Sequence, residues 1–393
     1  MFPLLLAITL LGPIQESAPH PYKEPPVDMA APAVALARDA QGVAMAWSMP
    51  NAAGLARIHV TRLDRFGRLG AIRELPVAFN SDTQGFYPSL SRRAGGGGFL
   101  VAWADIPVRR ARAAYALLDA SLAPSAPVLL PGVTIPTAPL ARTGEAMWVT
   151  SNGRFWQVET DGSARGPFDA FWPASDMTAT ASGPRMISGW RNLSETSCGG
   201  THCKPNPLPW SGSCNCVKYD LRLRLLVPPD AARTTILEFE TEAHPAIAHD
   251  GDEMLVAWFR GAQNTGGEVV LSSIDPAQAT SFAGAVAVPR VLGRFWIDSG
   301  QTRPDIAVTE QGTFVVWRTS SLFGKYDIAG ALVRRDGTVE ELTIADSEAD
   351  ERDPSVLALE NGEVLVAWRK IEGKESRIAW RVIGSQARRR AVR

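Results

Sequence analysis

Charged side chains recur at two fixed positions around a repeated tryptophan, and their chemistry suits a polar or anionic ligand. One position directly precedes the proline that opens each copy of the repeat, and the other follows the tryptophan by one or two residues. An arginine guanidinium offers a planar fork to carboxylate or phosphate, and a carboxylate accepts hydrogen bonds. The candidate ligand-binding residues are Tyr87, Asp105, Asp176, Arg191, His244, Arg260, Arg303, Arg318, Asp353 and Arg369.

The tryptophans belong to a repeat with a period near 50 residues. The best-kept copies are "HPAIAHDGDEMLVAWFRG", "RPDIAVTEQGTFVVWRTS" and "DPSVLALENGEVLVAWRK", with "YPSLSRRAGGGGFLVAWAD" as a fourth and three degenerate copies besides. Comparable apolar runs end at Trp47, Trp103, Trp148, Trp190, Trp258, Trp317 and Trp368. One period with varied insertions predicts a modular array in which the tryptophans pack unit against unit.

Each copy predicts an antiparallel unit. A short strand follows the proline, a turn such as "DG", "QG" or "NG" reverses the chain, and the apolar run returns as a second strand. A third strand follows every tryptophan, and six copies add a fourth. Such a unit is typical of a β-propeller blade. We therefore predict an all-β fold, a seven-bladed propeller over residues 20–387, with six or eight blades, or a pair of β-sandwiches, as alternatives.

The seventh copy ends after its third strand, "SRIAWRVIG". We predict that an N-terminal strand, "YKEPPVDMA" at residues 22–30, supplies the outer strand of the last blade. Closing the ring in this way would cover a free sheet edge, and the prolines of the segment suit an outermost position.

The predicted blade places the candidate residues on one face. In an antiparallel hairpin the start of the first strand lies beside the end of the second, and the first strand of a propeller blade lines the central channel. The candidates should therefore surround the mouth of that channel. An architectural role is the alternative: ion pairs between blades, such as Arg303 or Arg369 with Asp353, would orient loops without binding a ligand.

Histidines in the fifth copy invite a metal or acid–base interpretation, because His249 and Asp250 follow closely on His244. Asp250-Gly251 fits the hairpin turn, however, which would put His249 at the opposite end of its strand from His244. We predict no metal site and no cofactor, since the sequence contains no Gly-rich phosphate loop, G-x-S-x-G elbow or H-E-x-x-H motif.

The pattern P-x-[IVL]-A…G-x-x-[LFM]-V-[AV]-W resembles the repeats of bacterial secreted β-propeller proteins, over roughly residues 31–385. More distantly it is similar to repeats of the sialidase-like superfamily, whose S-x-D-x-G-x-T-W boxes are absent here. The first resemblance implies a propeller fold and export. The second implies an alternative function, a glycan-active hydrolase or lyase with one sugar surrounded by Arg303, Arg318, Arg369, Tyr87, Asp105 and Asp353.

Two further features indicate export. The run "MFPLLLAITLLGPIQESAPHP" predicts a signal peptide at residues 1–19, with a buried strand as the alternative. A Gly/Pro-rich insertion at residues 192–217 holds all the cysteines, namely Cys198, Cys203, Cys214 and Cys216. They predict two disulfides in any of three pairings, and a zinc knot with His202 is the alternative.

Composition excludes other classes of function. Hydrophobic content of 45%, charged content of 21% and a formal net charge of -1 describe a folded protein without the basic excess that nucleic acid binding needs. A short basic tail occupies residues 388–393, and no membrane span is predicted. We therefore predict a secreted or periplasmic bacterial binding module, without catalysis of its own, whose partner is an extracellular protein or carbohydrate.

Overall fold

The computed structural model is built from strands. It describes residues 9–21, 34–50, 56–64, 67–76, 88–95, 97–105, 112–130, 140–143, 146–151, 154–169, 176–180, 183–194, 204–205, 214–227, 231–236, 245–251, 253–260, 266–274, 289–296, 303–320 and 325–385. One 3₁₀ turn, at Glu360–Gly362, interrupts the strands. None of the described residues lies in a helix long and apolar enough to cross a bilayer. The fold is all-β, as predicted.

The described strands form seven antiparallel sheets that follow one another along the chain. Three short strands precede them, β1 (Thr9–Leu11), β2 (Gln15–Glu16) and β3 (His20–Pro21). The first sheet contains β4 (Val34–Asp39), β5 (Gly42–Pro50), β6 (Ala56–Leu63) and β7 (Arg73–Glu74). The second contains β8 (Ser89–Arg92), β9 (Phe99–Asp105), β10 (Arg112–Leu118) and β11 (Val128–Leu130). The third contains β12 (Leu140–Thr143), β13 (Met147–Ser151), β14 (Arg154–Val158) and β15 (Ala164–Asp169).

The remaining sheets repeat this arrangement. The fourth contains β16 (Asp176–Thr180), β17 (Gly183–Ser194), β18 (Lys204–Pro205), β19 (Cys214–Val227) and β20 (Ala231–Ile236). The fifth contains β21 (Ala246–Asp250), β22 (Glu253–Arg260), β23 (Gly266–Ile274) and β24 (Arg290–Trp296). The sixth contains β25 (Asp305–Thr309), β26 (Gly312–Ser320), β27 (Tyr326–Arg334) and β28 (Val339–Ala345). The seventh contains β29 (Asp350–Ala358), β30 (Val364–Glu372) and β31 (Glu375–Ser385), together with β1, β2 and β3.

Each sheet begins with the hairpin that the turn residues predict. Gly251 has φ +60°, and Gly312 has φ +146°. A Cβ atom at Gly312 would lie 2.0 Å from the carbonyl oxygen of Val333, so only glycine fits this turn. Local chain chemistry therefore sets the pairing of the first two strands of these sheets.

The repeat tryptophans are buried, and they pack between neighbouring sheets. Trp103 belongs to a core cluster with residues of the first and second sheets, Trp317 to one of the fifth and sixth, and Trp368 to one of the sixth and seventh. Gly293 of β24 leaves the space for the Trp317 ring, since a Cβ atom there would lie 2.7 Å from Cζ2. The side chain of Trp190 lies outside the described part of the structure.

The first strands of the seven sheets meet one another in chain order. β4 contacts β8, and the series continues through β12, β16, β21 and β25 to β29. β29 in turn contacts β4, so the contacts run in a cycle.

The N-terminal strap, defined as residues 9–21, supplies the outer edge of the seventh sheet. β1, β2 and β3 each pair antiparallel with β31. Glu16 forms ion pairs with Lys370 at 2.7 Å and Arg377 at 3.0 Å, and the Nε2 atom of His20 lies 2.8 Å from the Ser376 hydroxyl. This pairing corresponds to the strand that we left as the alternative to a signal peptide.

The closing strand thus comes from the N-terminal part of the chain, but it begins earlier than we expected. We assigned the role to residues 22–30, which lie outside the described part of the structure. Pro25 and Pro26 of that segment have no N–H group for a ladder hydrogen bond, whereas the strap donates from Gly12 to Val382 and from Ser17 to Ile378.

The Cys-rich insertion continues a hairpin of the fourth sheet. β17 and β19 remain paired as far as Ser194 opposite Cys216, and β18 pairs with β19 at Cys214. Cys198 and Cys203 lie outside the described residues, as do the side chains of the other two cysteines. The disulfides and the zinc knot therefore both stay predictions.

Candidate functional site

A cavity of about 400 Å³ lies among the first strands of six sheets. Toward the starts of these strands, at the end here called the mouth, it is lined by Ser89, Asp176, Arg303, Asp305 and Ser355. At the other end, here called the turn end because the hairpin turns lie beside it, it is lined by Arg38, Arg92 and His249. Its volume is in the range of small-molecule sites.

Asp176 and Arg303, two of the predicted site residues, form an ion pair at the mouth. Arg303 Nη1 lies 2.8 Å from Asp176 Oδ1, and both side chains are at least 96% buried. Asp176 also accepts hydrogen bonds from the N–H groups of Met177 at 2.8 Å and Ile247 at 2.9 Å. Because Asp176 begins the fourth sheet and Arg303 leads into the sixth, the pair reaches past the first strand of the fifth. It holds sheets together at the mouth.

Asp305 makes a second link of the same kind. Its Oδ2 atom accepts from the N–H group of Val356 at 2.8 Å and from the Ser355 hydroxyl at 3.0 Å. Asp176 and Asp305 therefore each join the first strand of one sheet to a backbone N–H group of the next. A carboxylate that accepts several such bonds has little remaining capacity for a ligand.

Arg369 and Asp353 meet within the seventh sheet. Arg369 Nη1 lies 3.4 Å from Asp353 Oδ2, and the register of β29 against β30 shifts between Arg352 and Ser355. Asp353 has φ +55°, an uncommon conformation for a residue with a side chain. The bulge turns Asp353 toward Arg369, so these two residues pair as the architectural alternative expects, but within one sheet and not between blades.

Arg318 is buried and stacks on an aromatic ring. Its Cζ atom lies 4.0 Å from the centroid of the Tyr326 ring, and Cζ of Arg352 lies 4.9 Å from the same centroid. Arg352 is held in turn by Asp350, with Nη2 and Oδ2 2.6 Å apart. The stack positions two guanidinium groups between the sixth and seventh sheets, where each contacts a group of this chain.

Glu351 is a buried carboxylic acid whose pKa lies well above the ordinary value for glutamate. It is 1% exposed, and burial raises its pKa to about 7, opposed by a hydrogen bond from Ser347 at 3.0 Å and helped by the negative charge of Asp327. A carboxyl group that carries a proton near neutral pH has the property that a general acid needs. In this structure the protein covers it, so a ligand does not reach it.

Arg260 is the exposed member of the predicted set. Its side chain is 44% exposed, and Nη2 lies 2.5 Å from Glu268 Oε2. Arg294 approaches the other oxygen of Glu268 at 3.5 Å from the outer strand of the same sheet. Because exposed ion pairs are weak, Arg260 is available to a ligand at little cost in stability.

The other predicted residues lie wholly or partly outside the described part of the structure. Tyr87 and His244 lie outside the described residues, and of Asp105 and Arg191 only the backbone is described, in β9 and β17. His249 lies at the turn end, next to the Asp250–Gly251 turn, as the sequence predicts. Among the described residues, no group of three or more His, Cys, Asp and Glu side chains has a geometry that could hold a metal ion.

Sequence reasoning missed three residues of the mouth, Ser89, Asp305 and Ser355. Each directly follows the template proline, whereas we chose the residues that precede it. The signal was present as a polar residue after the proline in "YPSL", "RPDI" and "DPSV". The missed position lies two residues after the chosen one, and residues two apart share one side of a strand, so Arg303 and Asp305 both line the cavity.

Comparison with known proteins gives structural likeness only. No family model matches the chain, and no curated protein matches it. A protein of unknown function from Dyadobacter fermentans superposes with TM-score 0.48 at 11% identity, covering 94% of this chain and 99% of its own. The sialidase of Trypanosoma rangeli, bound to the inhibitor DANA, superposes with TM-score 0.45 at 8% identity over 95% of this chain. NanB sialidase of Streptococcus pneumoniae superposes with TM-score 0.46 at 9% identity over 89% of this chain.

The three proteins differ in how much of their own length this chain covers. This chain spans 60% of the length of the Trypanosoma sialidase and 68% of that of NanB. At these identities and TM-scores, no activity or substrate is carried over to this chain.

Proposed function

We propose that the chain is a β-propeller of seven four-stranded blades, with an N-terminal strand closing the last one. The cyclic contacts of the first strands support the proposal, as do the strand orders of the seven sheets and the cavity enclosed by the first strands. The strap adds the fourth position to a sheet that otherwise has β29, β30 and β31. The membership suggested by the repeat pattern, in bacterial secreted propeller proteins, is part of the same proposal.

The function that the geometry supports best is that of a binding module, with its ligand or partner held at the mouth. The observation that carries this proposal is how the predicted arginines are used. Arg303 contacts Asp176, Arg369 contacts Asp353, and Arg318 lies on Tyr326. Arginines held by groups of their own chain form a rigid rim around the mouth. A rigid surface loses little conformational freedom when a ligand binds, and binding of this kind needs no catalytic group. The partner we propose is an extracellular protein or carbohydrate, met after an export step that leaves the strap on the chain.

A glycan-active enzyme is the second candidate, and one observation favours it. Burial raises the pKa of Glu351 to about 7, a value that suits acid catalysis on a sugar. Its burial favours the binding module instead. Glu351 would have to become accessible before it could serve a substrate.

Two matched pairs of variants test the proposal on a glycan array and on a panel of 4-methylumbelliferyl glycosides. Ser89→Trp narrows the cavity at the mouth, and Leu129→Trp adds the same side chain on an exposed outer strand. Arg260→Gln removes the exposed arginine that follows Trp258, and Arg294→Gln removes the other partner of Glu268.

A binding module predicts retention of glycans without hydrolysis. Retention should weaken in Ser89→Trp or Arg260→Gln and persist in the two controls. Turnover of a glycoside that Glu351→Gln abolishes would establish the enzyme in its place. Equal retention by all four variants would show that neither the cavity nor Arg260 holds the ligand, and would overturn the proposed site.

A further inference from the structure

The turn end of the cavity carries a concentration of positive charge that the proposed function does not use. The first strands of the first three sheets each contain leucine, any residue, then arginine: Leu36 and Arg38, Leu90 and Arg92, Leu140 and Arg142. Each arginine is the last or next-to-last residue of its strand. In the fifth sheet His249 takes the corresponding place. Three successive sheets thus put an arginine, and the fifth sheet a histidine, in the part of the first strand beside the hairpin turn.

The acidic groups near this end are already engaged with other cations. Asp39 receives two bonds from Arg62, at 2.8 and 2.7 Å, and a third from the N–H group of Gly98 at 2.9 Å. Asp250 is paired with Arg335, and Glu360 with Arg38. Arg92 is exposed, lines the cavity and has no ion-pair or hydrogen-bond partner among the described residues. The charge of Arg92 is therefore not neutralised within this part of the chain, whereas that of Arg38 is offset by Glu360.

The wall next to these cations is apolar. Leu36 and Arg38 lie two residues apart on one strand, as do Leu90 and Arg92, so each leucine is on the same side of its strand as the arginine. Leu36, Ala248, Val308 and Leu357 are half-buried members of the lining. An apolar wall that ends in guanidinium groups fits a ligand with an apolar body and an oxyanion at one end.

The turn end is also firmly braced. Arg62 donates to the carbonyl oxygen of Ala120 at 3.0 Å and so ties the first sheet to the second. Tyr115 donates to the carbonyl oxygen of Gly162 at 3.0 Å and ties the second to the third. Because the strands that present the arginines are fixed by these bonds, little ordering would be needed on binding.

We propose that the turn end of the cavity is a binding site for an oxyanion group, carboxylate, sulfate or phosphate, carried on a small apolar body. Arg92 supplies the charge, Arg38 and His249 further polar contacts, and Leu36 with Leu357 the apolar surface. The site lies at the opposite end of the cavity from the mouth, so it goes beyond the proposed function.

Isothermal titration with hexanoate, hexanol, inorganic sulfate and inorganic phosphate tests the site. Hexanoate should bind more tightly than hexanol, which lacks the charge, and than either inorganic anion, which lacks the apolar body. Arg92→Gln should weaken hexanoate about tenfold or more, because a hydrogen bond to a charged group is lost, and should leave hexanol unchanged. Tighter binding of sulfate or phosphate than hexanoate would identify an anion site without an apolar requirement and overturn the ligand class.

Arg165→Gln is the matched control, since Arg165 is 73% exposed on the outer strand β15 and carries the same charge. Equal weakening in Arg92→Gln and Arg165→Gln would show that net charge, not this site, attracts the anion. Absence of saturable binding in the native protein at millimolar ligand would also overturn the proposal. Arg260→Gln, at the mouth, should leave hexanoate binding unchanged, so failure at one end of the cavity is distinguishable from failure at the other. Circular dichroism confirms that each variant is folded.

Discussion

Replacing Arg303 by methionine should destabilise the protein, whatever it does to ligand binding. The change leaves the carboxylate of Asp176 buried without its cation. Removing one partner of a buried ion pair costs about 3–5 kcal/mol. Asp176 keeps the N–H groups of Met177 and Ile247, and hydrogen bonds of that kind continue to stabilise the charge. We therefore expect a loss near the lower limit, about 3 kcal/mol of unfolding free energy.

Urea denaturation followed by tryptophan fluorescence measures this loss, because the repeat tryptophans are buried between sheets. Arg260→Met is the control: its ion pair is exposed, and removing it should cost about 0–1 kcal/mol. In a double-mutant cycle, Arg303→Met combined with Asp176→Asn should cost less than the sum of the two single changes, by about 2 kcal/mol. The reasoning is refuted if Arg303→Met is as stable as the native chain while ligand binding at the mouth is lost. Arg303 would then be a ligand group and not a brace.

Three further predictions concern pH and packing. Burial raises the pKa of Glu351 to about 7, so the protonated group contributes its full stability below pH 4.5. The free energy of unfolding should fall by up to about 3 kcal/mol as pH rises through 7. Glu351→Gln should remove this pH dependence, as measured by urea denaturation at pH 5 and pH 8. Burial lowers the pKa of His20 to about 4, so the pairing of the strap with β31 should lose up to about 3 kcal/mol of stability as pH falls from 6.5 to 4. His20→Gln should abolish this dependence, as measured by the hydrogen-exchange protection factors of the β31 amides. Gly293→Ala should cost about 1–3 kcal/mol, because its Cβ would overlap the Trp317 ring, and thermal denaturation should show the loss.

Each of these has an outcome that would contradict it. Parallel pH profiles of Glu351→Gln and the native chain would mean that Glu351 is ionised in the fold. Protection factors of the β31 amides that are independent of pH would mean that His20 does not hold the strap. Native stability of Gly293→Ala would mean that the Trp317 ring can move away.

Much of the fold follows from local patterns. The turn glycines at Gly251 and Gly312 and the apolar runs ending in tryptophan predict hairpins that the structure contains. The third strands also lie where the sequence places them, as in β27 (Tyr326–Arg334). These features depend on residues within about twenty positions of one another, through turn chemistry and the two-residue period of a strand. Such interactions are visible in a sequence.

The site was less predictable. The sequence indicates both Asp176 and Arg303 as site residues but not their contact with each other, and Asp305 lies two positions after the residue that it indicates. Which carboxylate neutralises which arginine depends on distances between sheets, and nothing local encodes those distances. The positive φ of Asp353 is a further case, because it arises from the bulge in β29 and not from a turn motif.

The sequence by itself determined an all-β chain of repeated hairpins, a common side for the residues around each tryptophan, and the position of His249 at the turns. Only the tertiary structure decided what those residues do. It pairs Arg303 with Asp176, places the strap along β31, and separates a braced mouth from a basic turn end. The physical reason is that hydrogen-bond ladders form between near neighbours, whereas the neutralisation of a buried charge depends on whichever opposite charge the assembled sheets bring within a few ångströms.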